Sequence, residues 1–226
     1  MDAFTIKLIA IISMTLDHIK WFFPSLENEV TIYTGRIAFT LFAFLIGEGY
    51  RHTKNLPKYF LRLAIWGAIS IIPFNYFMSH IENSSSMVNI YATLILGLLA
   101  ITVFDKLGKK YYLSIPIIVL ICYVGQLIKA DYGWYGPALV FTFYLLKDKK
   151  VLLMLTVILL ASLKMGLYKQ GYFTLFRVSI VFFMTVIPVV ITYFYNGTRG
   201  LKIKHLFYAY YPIHLIIFEI LYRVLQ

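Results

Sequence analysis

Tyr172-Phe-Thr-Leu-Phe-Arg-Val-Ser-Ile-Val-Phe-Phe-Met-Thr-Val-Ile-Pro-Val-Val-Ile-Thr-Tyr-Phe-Tyr195 carries one charge, Arg177. About 20 mostly apolar residues in a helix cross a bilayer core about 30 Å thick, so this stretch reads as a spanning helix. Eight further apolar stretches surround it, at 4–23, 31–50, 58–79, 89–105, 112–128, 131–146, 151–168 and 204–224. Together they predict an all-α, polytopic integral membrane bundle of about nine transmembrane helices (8–10), a single domain over residues 1–226. The stretches at 89–105 and 131–146 are short, so they are expected to tilt little, or one of them to be re-entrant.

Composition agrees. Of the 226 residues, 61% are hydrophobic and 14% charged, and mean hydropathy is +0.78. Soluble domains are nearer half apolar and a quarter charged. Cys122 is the single cysteine, which excludes an intramolecular disulfide and a cysteine-based metal cluster. The first stretch is expected to be retained rather than cleaved, because Lys7, Asp17 and His18 interrupt it.

The net charge of +11 sits in short clusters between apolar runs, which is a membrane pattern rather than a nucleic-acid one. Loops after the second, fourth, sixth and eighth stretches hold Arg51, Lys54, Lys58, Lys106, Lys109, Lys110, Lys147, Lys149, Lys150, Arg199, Lys202 and Lys204. The opposite loops hold only Lys129, Lys164 and Lys169. Twelve against three predicts a cytoplasmic N-terminus.

Ionisable residues inside spans face a bundle interior or a wet cavity. Lys7, Asp17, His18, Arg36, Glu48, Arg62, Arg177, His214 and Glu219 fall within the stretches. At about 1.5 Å per residue, Asp17, His18 and Arg36 lie roughly 5–8 Å outward of the midplane, and Lys7, Glu48 and Arg62 roughly 10 Å inward. His214 lies near the centre. Asp17–Arg36 and Lys7–Glu48–Arg62 are therefore expected as polar layers, whether they only fix packing or also do chemistry. Two histidines beside an aspartate favour proton transfer. Asp17 and His18 point about 100° apart on a helix, so Asp17 is expected to pair with Arg36 while His18 faces the cavity.

Asp131-Tyr-Gly-Trp-Tyr-Gly-Pro137 reads as a tight turn entering a helix. Asn196-Gly-Thr-Arg-Gly200 is either a flexible turn before an anchoring positive charge or a phosphate cradle of backbone N–H groups, Arg199 and Lys204. Most of the 19 tyrosines and 19 phenylalanines fit interfacial belts and lipid contact.

Six blocks in order resemble the TraX family. They are Lys7 through Asp17-His18, Gly35-Arg-Ile-Ala-Phe-Thr40 through Gly49, Tyr59-Phe-Leu-Arg-Leu63, Asp131-Tyr-Gly133, Tyr195-Asn-Gly-Thr-Arg-Gly200, and Tyr208 through Tyr211-Pro-Ile-His214. The family takes its name from a conjugative-pilus protein that N-acetylates pilin. The first block is also distantly similar to the opening helix of polytopic acyltransferases, in which an intramembrane histidine is the base. Thr40 stands where the family pattern has proline.

The resemblance implies a bacterial cytoplasmic (inner) membrane acyltransferase. It would move acetyl from cytosolic acetyl-CoA to an acceptor on the outer side, a peptide or pilin-like N-terminal amine or a glycan. His18, Asp17, Arg36 and His214 are the expected catalytic set, with His18 or His214 as base. Arg62, Glu48, Lys7, Arg199, Lys204, Tyr208 and Asn196 are the expected cofactor-binding set, and Arg36, Tyr208 or His214 would bond the oxyanion. No metal and no nucleic acid are expected, and lipid is an inevitable partner. Cys122 has no histidine or acidic neighbour in sequence, which favours direct transfer over an acyl-enzyme. A small proton-coupled secondary transporter and a non-catalytic scaffold of a pilus apparatus are the rival readings.

Overall fold

A computed structural model describes residues 1–81, 87–108, 110–201 and 204–225. Among them the chain is helical: α1 (Ala3–Phe22), α2 (Glu29–Gly35), α3 (Ile37–His52), α4 (Leu56–Ile69), α5 (Ile71–Ser79), α6 (Ile90–Leu107), α7 (Tyr111–Leu127), α8 (Tyr135–Leu145), α9 (Lys150–Met165), α10 (Leu175–Tyr193) and α11 (Lys204–Leu225). Each apolar stretch of the sequence corresponds to one helix or to two in succession. Glu29–His52, Ile90–Leu107 and Leu175–Tyr193 are long and apolar enough to cross a membrane, and α4 with α5 makes a fourth such segment bent by 46°. α1 has the length for a span but carries Lys7, Asp17 and Lys20. α8 has 11 residues, about 16 Å at the usual rise, which falls short of the core thickness.

The helix starts follow capping chemistry. Asp2 accepts from the Thr5 backbone N–H at the head of α1. The same bond, helped by the Thr5 hydroxyl, holds the Asp2 carboxyl below its ordinary range. Asn28 and Thr31 cap each other reciprocally before α2, an arrangement that satisfies two otherwise orphaned donors. Asn89 and Thr174 cap α6 and α10. Before α8, Gly133 at φ +56° forms the turn expected at 131–137, and Gly125 packs close against its carbonyl.

Large apolar residues recur at helical spacing on exposed faces: Leu61, Ile65 and Ile69 on α4, Leu155, Leu159 and Leu163 on α9, and Ile213, Ile217 and Ile220 on α11. Such stripes suit lipid rather than water.

The chain divides into two compact units. Unit 1 is Met1–Phe42, Ile69–Ser85 and Ala161–Gln226, and unit 2 is Ala43–Ala68 and Ser86–Leu160. In unit 1, α1 packs on α2 and α11, α5 on α11, and α10 on α2. In unit 2, α6, α7 and α8 pack on one another.

Thr40 occupies the position where proline was expected. Pro188 lies inside α10 and has no N–H for the carbonyl of Met184 four residues earlier. The buried Thr40 hydroxyl donates to that carbonyl at 2.6 Å. The threonine therefore repairs a hydrogen bond that a proline on a different helix removes.

Candidate functional site

In unit 1, α1 and α11 bring His18 and His214 together, with Nδ1 of His18 2.7 Å from Nε2 of His214. The rings are 9° from parallel with centroids 5.0 Å apart. Parallel rings with nitrogens that close and centroids that far apart lie edge to edge, the arrangement of an in-plane hydrogen bond rather than a face-to-face stack.

The bonding fixes which nitrogens carry protons. Nδ1 of His214 lies 2.8 Å from the carbonyl of Tyr210, and a carbonyl only accepts, so this nitrogen holds the hydrogen. In a neutral His214, Nε2 is then an acceptor, and His18 donates to it from Nδ1. Nε2 of His18 is left with a lone pair, and nothing among the described residues bonds to it. The i−4 spacing of Tyr210 and His214 keeps the carbonyl beside the ring.

A second chain supports the same turn of α11. Thr15 donates to the carbonyl of Ile11 at 2.8 Å, so the Tyr210 hydroxyl donates to Thr15 at 2.6 Å. Phe77 of α5 packs on His18 with ring centroids 4.7 Å apart, and Tyr211 meets it edge-on. His214 is buried.

Asp17 lies beside the dyad and is engaged elsewhere. Arg36 and Lys20 each approach its Oδ1 at 3.0 Å. The expected Asp17–Arg36 pair is present, and Asp17 makes no hydrogen bond to His18 among the described residues. α2 ends at Gly35, which approaches Asp17 so closely that a Cβ there would sit 2.6 Å from Oδ1. Arg36 falls at the break between α2 and α3, and its buried Nε has no partner among the described residues.

The expected cofactor set divides between the units. In unit 1, Lys7 lies 5.2 Å over the ring of Phe207. Arg199 and Asp2 both act on Lys7 electrostatically. Tyr208 lies on α11. The Asn196 side chain accepts from the backbone N–H and hydroxyl of Thr198. The backbone of the same loop binds Met1 and Ala3, which occupies part of the expected cradle. Lys202 and the Lys204 side chain lie outside the described residues, as does Lys109.

In unit 2, Glu48 is buried and bonds Arg51 at 2.5 Å, with His52 and Lys147 at 3.6 and 3.7 Å. Its ion pairs among the described residues do not include Arg62, which corrects that part of the expected inner layer. α3 runs on to His52, so Arg51 comes one turn after Glu48 rather than out in a loop. Arg62 lies 5.5 Å over the ring of Tyr59. Arg51 also donates to the carbonyl of Tyr144, and Tyr50 and Tyr144 both bond Asp105. Cys122 lines an apolar groove of about 510 Å³ with Ile118, Phe141 and Leu160.

Sequence reasoning passed over Tyr210, Thr15, Lys20 and His80. The first three were within reach by helical spacing from His214, His18 and Asp17. His80 carries no such signal: Nε2 of this ring lies 2.7 Å from Glu219.

The family model described as TraX protein matches residues 3–222. The chain is 27% identical over 232 residues to the probable fimbrial assembly protein FimC, serogroup H1, of Dichelobacter nodosus, covering 95% of this chain and 93% of that protein. No solved structure matches.

Proposed function

The chain belongs to the TraX family, and from that premise we propose that it is a membrane-embedded, acetyl-CoA-dependent N-acyltransferase. Its acceptor is the N-terminal amine of a fimbrial or pilin-like subunit on the outer side of the membrane. The fimbrial assembly role in the name of the Dichelobacter relative supports that class of acceptor. The excess of basic residues in alternate loops supports a cytoplasmic N-terminus in a multi-pass, roughly nine-span protein of the bacterial cytoplasmic membrane.

The observation that carries the reading is the His18–His214–Tyr210 chain. It fixes the His18 tautomer and leaves Nε2 as the open base. In the reaction the amine nitrogen attacks the thioester carbonyl, and His18 Nε2 takes the proton that the attacking nitrogen sheds. Arg36, whose Nε–H has no partner among the described residues, supplies a hydrogen bond to the developing oxyanion. Asp17 holds Arg36 in place. The carbon–sulfur bond then breaks, and the proton on His18 passes to the leaving thiolate. His214 orients His18 and does not touch the acceptor.

Lys7 and Arg199, which act on each other with Asp2 also present, are the cations assigned to the phosphates of coenzyme A. Lys7 is eleven residues before His18, about 16 Å along α1. A pantetheine arm extended along the helix bridges that separation.

The test is thermal unfolding of detergent-purified protein with acetyl-CoA, coenzyme A and ATP, on wild type and His18→Gln. A ligand that binds only the folded state raises its melting temperature with concentration. Stabilisation of both proteins by both coenzyme A species, and not by ATP, is the expected result. No shift with either species contradicts the reading and turns attention to solute flux.

A further inference from the structure

A second histidine is arranged like the first. His80 follows the last turn of α5, and Nε2 of this ring donates to Glu219 of α11 at 2.7 Å, since a carboxylate only accepts. Nδ1 is thereby left as the ring's lone pair, with no hydrogen bond among the described residues. Arg223 holds the other oxygen of Glu219 at 2.6 Å. Tyr222 meets His80 edge-on at 4.5 Å, Phe22 of α1 packs on its other side at 4.6 Å, and Arg223 lies 5.4 Å over Tyr76 of α5. Glu219, Arg223, Tyr222 and Tyr76 are thus the titratable groups around His80, and α1 presents it with the apolar Phe22. The imidazole and the carboxylate are mostly enclosed, at 13% and 14% exposure.

The two histidine sites are joined by packing. Phe77 touches His18 and, together with Phe218, touches Phe22, which touches His80. Phe218 also meets His214. Glu219 is five residues beyond His214, about 7.5 Å along α11. His80 therefore lies one step along the bundle from the dyad, across an aromatic box, at the end away from Lys7 and Arg199.

Acyl transfer to an amine requires two proton removals. An amine arrives as an ammonium ion with no lone pair, so one proton must leave before attack and a second leaves during it. The thiolate takes back one proton, through His18. The other has no destination in the dyad.

We propose that His80, held by Glu219, is the base that takes the first proton, converting the acceptor's ammonium to the free amine before it reaches His18. This rests on the acyltransferase reading. R–NH3⁺ gives its proton to Nδ1 of His80, the nitrogen keeps the electron pair of the broken N–H bond, and Glu219 faces the resulting imidazolium. The proton then passes to water, which resets the site. Net, one ammonium and one thioester give one amide, one thiol and one released proton.

The test uses the full chain in nanodiscs with acetyl-CoA and two synthetic peptides of one sequence. One has a free N-terminal amine, and the other an N-terminal aminooxyacetyl group, which is already neutral at pH 7. His80→Gln keeps a donor for Glu219 and loses the base; Glu219→Gln is the companion variant. For the amine peptide, His80→Gln is expected to lower kcat/KM at pH 7 at least tenfold. Its rate then climbs with pH up to the amine's own pKa, whereas wild type levels off earlier. For the aminooxy peptide the variant is expected to stay within about twofold of wild type.

An equal loss on both peptides at every pH overturns the inference while leaving acyl transfer in place. So does no loss on either. Transfer by wild type to neither peptide overturns the acyltransferase reading itself, and this inference with it.

Discussion

The two units handle buried charge differently. In unit 2, Glu48 is enclosed by Arg51, His52 and Lys147, Arg51 spends a second donor on the Tyr144 carbonyl, and Asp105 takes both tyrosine hydroxyls. Each donor in this cluster ends on a carboxylate or a carbonyl, although the buried Oε2 of Glu48 has no hydrogen-bond partner among the described residues and only faces His52. In unit 1, the chain from Tyr210 through His214 to His18 ends on a ring nitrogen that bonds to nothing among the described residues. A cluster of cations paired with carboxylates holds helices together, and a chain that ends on an imidazole lone pair can move a proton. Burial of an ionisable group does not distinguish the two; following each donor to its acceptor does.

That contrast is sharpest at His18. His18→Gln should lower acetyl transfer by about 10²- to 10⁴-fold, the usual worth of a general base, while circular dichroism and melting temperature stay close to wild type. A comparable loss of folded protein would place His18 in packing and erase the contrast. Glu48→Ala should do the reverse. Removing one member of a buried pair costs about 3–5 kcal/mol, read as a lower melting temperature, with transfer per folded molecule retained. A selective loss of transfer in this variant would move the chemistry toward unit 2.

A smaller effect is expected from His214→Ala, which frees the His18 ring to turn and exchange tautomers. The loss should be about 10- to 100-fold, the usual cost of losing a hydrogen-bonding partner that only orients a functional histidine. The smallest belongs to Thr40→Val. It leaves the Met184 carbonyl without a donor, at a cost of about 1–3 kcal/mol for an unsatisfied buried acceptor, and should appear in unfolding and not in transfer. The matching restoration is Pro188→Ala in the Thr40→Val background, which returns a backbone N–H to that carbonyl.

The helices were legible because apolar runs of spanning length allow few other readings. Their interruptions were not. The break at Arg36 falls beside the close approach of Gly35 to Asp17, a contact between two helices. The 46° bend between α4 and α5 is likewise invisible to hydropathy, whereas the turn before α8 was legible in its glycines and Pro137. At the candidate site, matching depths paired Asp17 with Arg36, and passed over Lys20, one turn further along the same helix, which reaches the same oxygen. The same reasoning misassigned Glu48, since Arg51 was counted as a loop cation although α3 carries it one turn beyond Glu48. The choice between His18 and His214 stayed open in the sequence for a physical reason. Two histidines in one layer are chemically alike until one ring's proton is tied to a carbonyl, and that carbonyl belongs to the backbone of Tyr210.

The most direct test of the central claim is a transfer assay. Purified protein in nanodiscs is incubated with acetyl-CoA and a synthetic peptide with a free N-terminal amine, and the peptide is read by mass spectrometry, for wild type and His18→Gln. The account predicts one acetyl group added at the N-terminus by wild type, and almost none by the variant, although the variant still binds coenzyme A. Equal acetylation by the two proteins, or none by wild type, would contradict it.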